Sequence, residues 1–316
     1  MGFEFVSVSL DQIETADHTF KITTDADTTD LTRSISAIGI LHPPVLVLSG
    51  ERRYRVVCGF RRIAAFAQLN VVQIPSRLLP ADAAMRMCVQ IAISDNTFQR
   101  ELNVIEQARA YALIQSCSQN PSELMAVAQS AGLADSMAVI NRLLPVARMP
   151  AVLQNAILAG SIALPIAAQI ICLDADDAAA MCRFFLKITT GLNKQRELFD
   201  LISDIAARDE IAIADLLDQQ EITSIVTDEA CPAPQRVNKL RNVLKNRLYP
   251  TLCSATSDFK QKVKSLKLHP CIQLQAPPFF EGKSYRITLS VDSKKQLRAI
   301  QTELDKLIQH PSLLPE

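Results

Sequence analysis

The sequence contains no tryptophan, little histidine and no apolar run long enough to cross a membrane. Among its 316 residues there are 4 histidines, and aromatic residues make up 5%. A membrane-spanning helix needs about 20 consecutive apolar residues. The acidic, alternating start MGFEFVSVSLDQIE is also unlike a secretory signal. We therefore expect a cytoplasmic protein with no membrane partner.

The cysteines are spaced too widely for a structural zinc site. Such sites use pairs of the CxxC type, and histidine is too scarce to replace them. Most of the cysteines lie in apolar periodic segments, which indicates reduced, buried thiols. Their positions are 58, 88, 117, 172, 182, 231, 253 and 271.

A formal net charge of zero conceals an uneven distribution of charge. Residues 51–120 carry 9 basic and 5 acidic side chains, and residues 231–316 carry 15 and 6, whereas residues 121–230 carry 7 and 15. Basic regions attract the phosphates of nucleotides or nucleic acids. The same charges would also balance the acidic middle of the chain, so both interpretations stay open.

Hydrophobic periodicity predicts an α+β multidomain protein in three parts. Residues 1–100 alternate between strands and short helices, with a hairpin that turns at Ser49-Gly50 and a helix over about 62–68. Residues 101–227 are predicted to be helical. Residues 228–235, DEACPAPQ, are predicted to be a linker. Residues 236–316 form a basic α+β unit with two paired strands and a last helix from Asp292.

Two short predicted helices form a candidate helix-turn-helix. Asn120 is a cap with proline in the next position, and the helix SELMAVAQSAGL that follows ends at Gly132. Asp135 is placed to cap the second helix, SMAVINRLL. Many helical bundles contain such a pair, so a purely structural pair is the alternative.

The stretch VVCGFRRIAAF predicts a phosphate cradle at the start of a helix. Gly59 allows close approach of the backbone, and the helix N-terminus offers free amides. Arg61 and Arg62 add planar donors that suit phosphate oxygens. The alternative is a helix start with two solvated arginines.

A second polar stretch, ISDNTFQREL, precedes a helix that Asn103 can cap. Glu106 lies three residues further on and completes a capping box. The stretch offers two amides and a guanidinium near one chain reversal, from Asn96, Gln99 and Arg100. The alternative is an ordinary polar loop between helices.

These stretches, in this order and spacing, resemble the ParB family of chromosome and plasmid partition proteins. LTRSISAIGILHPPVLVL, YRVVCGFRRIAAFAQLNVVQIPSRL and NTFQRELNVIEQARAY are similar to three boxes of the family's N-terminal domain. The segment ELMAVAQSAGLADSMAVINRLL resembles the helix-turn-helix that follows. The resemblance covers about residues 1–170 and implies a ParB/sulfiredoxin-like α/β domain and an all-α helix-turn-helix domain. The small α+β C-terminal domain resembles nothing we know.

The resemblance implies a CTP site with magnesium, a clamp that closes around double-stranded DNA, a homodimer and a ParA-type ATPase partner. It also implies a location on the nucleoid. Ser34 and Gly39 would shape the near wall of the nucleotide site. The residues implied to bind the nucleotide are Gly59, Arg61, Arg62, Asn96, Gln99 and Arg100.

Two departures from the family pattern bear on catalysis. The family has Glu after the glycine, where this chain has Phe60, and its second box opens Glu-Asn, where this chain has Asn96-Thr97. A magnesium-bound triphosphate needs a hard oxygen ligand, and Asp95 is the only nearby carboxylate. We therefore expect nucleotide binding with weak or absent hydrolysis, and we assign no catalytic residue.

The candidate DNA-reading helix has little positive charge. Arg142 and Arg148 are balanced by Glu123 and Asp135, and Asp135 stands where the family often has arginine. DNA affinity comes largely from phosphate neutralisation. The basic C-terminal part is expected to add that charge, to dimerise, or both. The predicted DNA contacts are Ser136, Asn141 and Arg142.

The leading hypothesis is a DNA-binding protein that partitions DNA or regulates a locus. The alternative is a ParB-type nuclease or nucleotide hydrolase with residual CTPase activity. A third is a regulatory protein that kept the fold and lost both activities. A sulfiredoxin-like redox role is disfavoured, because Cys58 precedes the glycine and is expected to be buried.

Overall fold

The structure is a computed structural model that describes residues 2–268, 270–282 and 284–291 together with Ile300. It divides into two compact units, Met1–Ile171 and Cys172–Glu316. Both units combine helices with strands, which confirms the predicted α+β class. The three-part division stays a prediction. Within the described residues, every helix is too short or too polar to span a bilayer.

A mixed four-stranded sheet with two helices begins the first unit. Its elements are β1 (Glu4–Ser9), α1 (Thr29–Ile38), β2 (Val45–Gly50), β3 (Arg53–Cys58), α2 (Phe60–Gln68) and β4 (Gln73–Leu78). The strands lie in the order β1-β4-β2-β3, and only β2 and β4 are parallel. Helix α2 lies in the connection that brings the chain back to a parallel strand.

Apolar residues of the strands and of both helices form one core. On α2, residues spaced three apart turn inward, so that Ile63 and Phe66 are buried while Arg61 and Arg62 stay partly exposed. The core comprises Val8, Ile13, Ile35, Leu46, Val56, Ile63, Ala65, Phe66 and Ile74. The sheet therefore fixes the direction of the first turn of α2.

The hairpin between β2 and β3 turns later than predicted. Gly50 still pairs with Arg53, so the turn residues are Glu51 and Arg52 and not Ser49 and Gly50. A shift in register between Leu48 and Gly50 accommodates this extension. Arg52 has a φ of 57°, the left-handed conformation that such a turn requires.

The rest of the first unit is helical. Its helices are α3 (Met85–Thr97), α4 (Val104–Ser116), α5 (Pro121–Ser130), α6 (Met137–Ala147), α7 (Ala151–Leu158) and α8 (Leu164–Ile170). The Asn103 side chain accepts from the Glu106 amide and Glu106 accepts from the Asn103 amide, which confirms the capping box. The Asn120 side chain accepts from the Glu123 amide, which confirms the second cap.

The turn between α5 and α6 differs from expectation at one position. The capping residue of α6 is Ser136, and the expectation that Asp135 caps this helix is wrong. The Tyr111 hydroxyl donates to the carbonyl oxygen of Ala134 at 2.9 Å, which fixes the turn against α4. The helix therefore begins one residue later than the pattern indicated.

The second unit is a helical array followed by a two-stranded sheet. Its elements are α9 (Ala175–Lys187), α10 (Leu192–Asp209), α11 (Ile213–Leu217), α12 (Gln220–Val226), α13 (Ala233–Leu248), α14 (Pro250–Ser265), β5 (Ile272–Gln275) and β6 (Arg286–Leu289). The two strands pair, as predicted, and they run antiparallel. Apart from Ile300, the helix predicted from Asp292 lies outside the described residues.

The basic helix α13 is tied to the helices before it. It begins at Ala233, inside the predicted linker, and buries Val237, Leu240 and Leu244. Arg241 makes a two-point ion pair with Glu197 of α10, at 2.7 and 2.9 Å. Part of the positive charge of this region is therefore neutralised within the unit.

Candidate functional site: an arginine-lined cleft

Gly59 forms the kink between β3 and α2 that the sequence indicated. Its φ is 93°, and it caps α2 in the left-handed conformation. A Cβ atom at this position would lie 2.8 Å from the Cβ of Pro44. Only glycine therefore fits both the backbone conformation and the space.

The kink opens onto a cleft of about 330 Å³ that both predicted stretches line. Helix α3 packs against β3, which brings the end of α3 to the start of α2 although the two lie some 35 residues apart. All of the predicted nucleotide-binding residues and the predicted metal ligand line this cleft. They are Gly59, Arg61, Arg62, Asp95, Asn96, Gln99 and Arg100.

Arg62 is the most enclosed of the three cleft arginines. Its Nη2 lies 2.7 Å from Asp95 Oδ2, and the two side chains are 15% and 19% exposed. Its Nη1 donates to the carbonyl oxygen of His42 at 2.8 Å. Arg62 therefore connects α2, α3 and the segment before β2.

Arg61 is held by a segment that the sequence analysis did not single out. Its Nη1 lies 3.0 Å from Asp25 Oδ2, and its Nε donates to the carbonyl oxygen of Asp27 at 3.1 Å. Its Nη2 donates to the same carbonyl oxygen. The acidic run TTDADTTD was visible in the sequence, but nothing local connects it to Arg61.

Arg100 makes a two-point ion pair with the buried carboxylate of Glu106. The distances are 2.7 Å to Oε2 and 2.8 Å to Oε1, and the Glu106 side chain is 1% exposed. Burial raises the pKa of Glu106, but hydrogen bonds from Arg100 and from the Thr24 and Asn103 amides hold it below its ordinary value. The capping box of α4 thus also positions a cleft arginine.

The remaining polar residues of the cleft bond mainly to near neighbours. Asn96 donates to the carbonyl oxygen of Ala92 at 2.9 Å, and Gln99 donates to Asp95 Oδ1 at 3.5 Å. Among the described residues there is no group of three or more side chains that could hold a metal ion. Magnesium binding by Asp95 stays a prediction, and the Arg62 guanidinium now competes for that carboxylate.

The lining of the cleft also includes Cys58, Phe60 and Leu31. Burial, and next the charge of Asp95, raise the pKa of the Cys58 thiol to about 12, so this cysteine is no nucleophile at neutral pH. Phe60 packs edge-on to His18, with ring centroids 6.2 Å apart. Leu31 is the α1 residue that lines the cleft, and the expected wall residues Ser34 and Gly39 do not.

The predicted DNA contacts lie on the exposed part of the α5–α6 pair. Ile140, Leu143 and Val146 of α6 are buried, whereas Ser136, Asn141 and Arg142 are exposed. Asp135 is also exposed, directly before the capping residue. The three predicted contacts therefore present one hydroxyl, one amide and one cation, beside the carboxylate of Asp135.

The sheet and the cleft define an α/β domain with an arginine-lined polar site. Residues 3–97 match the family model of the ParB N-terminal domain. The chain therefore carries a ParB N-terminal domain, which confirms the resemblance for this part of the sequence.

Proteins similar to the chain include one curated relative and three solved structures. The nucleoid occlusion protein of Lysinibacillus sphaericus (strain C3-41) is 30% identical over 129 residues, which is 41% of each chain, so this chain matches under half of that relative. The truncated Caulobacter crescentus ParB is 19% identical in two complexes. With CTP-γ-S the TM-score is 0.26, over 58% of this chain and 99% of that one. With the centromeric parS site it is 0.35, over 61% and 97%.

A Pnob8-like ParB-N domain is 13% identical, with a TM-score of 0.37, over 76% of this chain and 98% of that one. At such scores these overall superpositions carry no argument about the site. The assignment of the domain rests on the family match.

The Arg100–Glu106 pair predicts a specific dependence of stability on pH. A glutamate whose folded pKa is lowered stabilises the fold above its ordinary pKa, and this contribution is lost as pH falls through the folded value. Glu106→Gln should lower the free energy of unfolding at pH 7 by about 1.5–3 kcal/mol. As pH falls below the ordinary pKa of glutamate, the difference from wild type should shrink, because the stabilisation that comes from the lowered pKa is progressively lost.

Urea denaturation at pH 7 and pH 3.5 measures both quantities. Glu101→Gln, at an exposed position nearby, is the control and should match wild type at both pH values. A Glu106→Gln deficit of the same size at both pH values would show that the ion pair does not stabilise the fold.

Proposed function

We propose that this chain is a ParB-like DNA-binding protein of chromosome or plasmid partition, or of locus regulation, whose N-terminal cleft binds CTP. The observation that carries the proposal is the cleft itself. It gathers three arginines and two amide side chains from two distant stretches, and all but Gln99 and Arg100 lie within the residues that match the ParB N-terminal domain. The name of the Lysinibacillus relative, a nucleoid occlusion protein, supports a role on the nucleoid.

The cleft has the chemistry of a triphosphate site. Guanidinium groups match phosphate oxygens in two-point geometry, and the first turn of α2 adds backbone amides and the positive end of the helix dipole. Arg61 and Arg100 are 39% and 41% exposed, so both are accessible to a ligand. Arg62 is proposed to hold its partners in place and to add its charge to the same space.

We propose that hydrolysis is weak or absent. Phe60 occupies the position where the family has a carboxylate, and it packs against His18 and Lys21. Asp95 is the single carboxylate available to a magnesium ion in the cleft lining, and it also has to neutralise Arg62. Among the described residues of the cleft, no other carboxylate remains to act as the general base that activates a water molecule.

On the DNA side, we propose that α6 contacts double-stranded DNA through Ser136, Asn141 and Arg142. A single cation on α6 makes for weak affinity by itself. The basic second unit is proposed to add phosphate contacts or to bring two copies together as a homodimer. A ParA-type ATPase is the partner that the family resemblance implies.

The nucleotide proposal predicts a strong effect of Arg61→Ala. Calorimetric titration with CTP, with and without DNA, should show at least about a tenfold loss of affinity, because a charge-assisted hydrogen bond contributes about 1.5–3 kcal/mol. Arg33→Ala is a matched control, since Arg33 is 75% exposed and, among the described residues, pairs only with Asp30 on α1. Equal CTP affinity of wild type and Arg61→Ala would overturn the proposed site, and rapid phosphate release over many turnovers would overturn the proposal that hydrolysis is weak or absent.

The DNA proposal predicts salt-sensitive binding that depends on Arg142. Arg142→Ala should weaken binding to DNA from the chain's own genomic neighbourhood, and the slope of log K against log salt should fall by about 1. Arg33→Ala should leave both quantities unchanged. Gel-shift titrations over a series of salt concentrations measure the effect, and the absence of salt-sensitive binding at low ionic strength would contradict the proposal.

A further inference from the structure

An acidic segment of the N-terminal domain binds the guanidinium group of Arg61, which the proposed nucleotide site also uses. We call Thr23–Thr28, sequence TTDADT, the acidic strap. The Asp25 carboxylate and the Asp27 carbonyl oxygen contact Nη1, Nε and Nη2 of Arg61. All three nitrogen atoms of this guanidinium group are therefore in contact with oxygen atoms of the strap.

These contacts have the form of a phosphate complex. A guanidinium group presents its donors as a planar fork, which pairs with two oxygen atoms of a phosphate or carboxylate. A phosphate that approaches Arg61 has to displace the strap oxygens or share their donors. It also meets the negative charge of Asp25, which repels it.

The strap stays attached to the domain without the Asp25 contact. The Thr24 amide donates to Glu106 Oε1 at 3.0 Å, and Asn103 donates to Thr24 Oγ1 at 2.8 Å. Arg109 donates to the carbonyl oxygen of Thr23 at 3.2 Å. The Asp25 side chain is therefore able to leave Arg61 while the backbone at Thr23 and Thr24 remains in place.

Burial indicates which of the three arginine partners a ligand can displace. The carboxylates of Asp95 and Glu106, which bind Arg62 and Arg100, are 19% and 1% exposed. A ligand that displaced either carboxylate from its arginine would leave a poorly solvated negative charge. The Asp25 side chain is 52% exposed, and water replaces its partner at little cost. Arg61 is therefore the position at which competition takes place.

We propose that the acidic strap is an internal competitor of the nucleotide phosphates at Arg61, which lowers the affinity of the resting cleft. This inference rests on the proposed function of the cleft. It assigns to Asp25 an inhibitory contact, and ligand binding would transfer Arg61 from Asp25 to a phosphate. Thr24 would stay bonded at the start of α4 while the Asp25 side chain changes its position.

The test is Asp25→Asn, which keeps the size of the side chain and removes its charge. Calorimetric titration should show about fivefold tighter binding of both CTP and inorganic tripolyphosphate, since an exposed ion pair contributes up to about 1 kcal/mol. Equal gains are expected because the strap competes with phosphate and not with the base. Asp30→Asn, which removes the same charge from an exposed pair on α1, should bind as wild type does.

A double variant shows whether the effect passes through Arg61. In an Arg61→Ala background, Asp25→Asn should lose most of its fivefold gain, because the contact it relieves no longer exists and only the repulsion between Asp25 and the phosphate is removed. An unchanged fivefold gain in that background would overturn the proposed contact. Thermal melts of each variant check that the fold is retained.

The outcomes separate the strap from the function of the cleft. The proposed role of the strap is supported if Asp25→Asn binds more tightly than wild type. This includes the case in which Asp25→Asn binds and wild type binds too weakly to measure. Binding by wild type and Asp25→Asn with equal affinity overturns the strap and leaves the nucleotide site standing. Failure of both proteins to bind CTP and tripolyphosphate overturns the two proposals together.

Discussion

The ion pair between Arg62 and Asp95 joins the two chain segments from which the cleft is built. It links the first turn of α2 to the end of α3 at 2.7 Å, and both side chains are largely enclosed. Removing one partner of such a pair leaves an uncompensated charge, which is far more costly than losing an exposed pair. The relative position of Gly59, Arg61 and Arg100 around the cleft depends on this contact.

Around this contact, each cleft arginine already has an oxygen partner, and these partners differ in burial. Glu106 is buried and tied to the cap of α4, Asp95 is nearly enclosed, and Asp25 is half exposed. A site that keeps its cations neutralised avoids mutual repulsion of the arginines. An anion binds in such a site only if its interactions with the arginines are stronger than those of the internal oxygen atoms that it displaces.

Much of the cleft followed from local patterns, because its members are marked by short-range physics. A glycine with positive φ before a helix, and an Asn-x-x-Glu capping box, are each legible within a few residues. The contact between Arg61 and Asp27 spans 34 positions, and no local rule connects them. The hairpin turn was misplaced for a related reason, since the register shift in β2 depends on its pairing with β3.

The central claim is that Arg61 and Arg100 receive the nucleotide while Arg62 keeps the cleft together. Nitrogen-15 spectra of the arginine Nε–H groups, recorded during titration with CTP, test it most directly. The account predicts that the Arg61 and Arg100 signals shift with one common midpoint, while the signal of the exposed Arg33 stays fixed. Saturable binding of CTP with the Arg61 and Arg100 signals unmoved would contradict it.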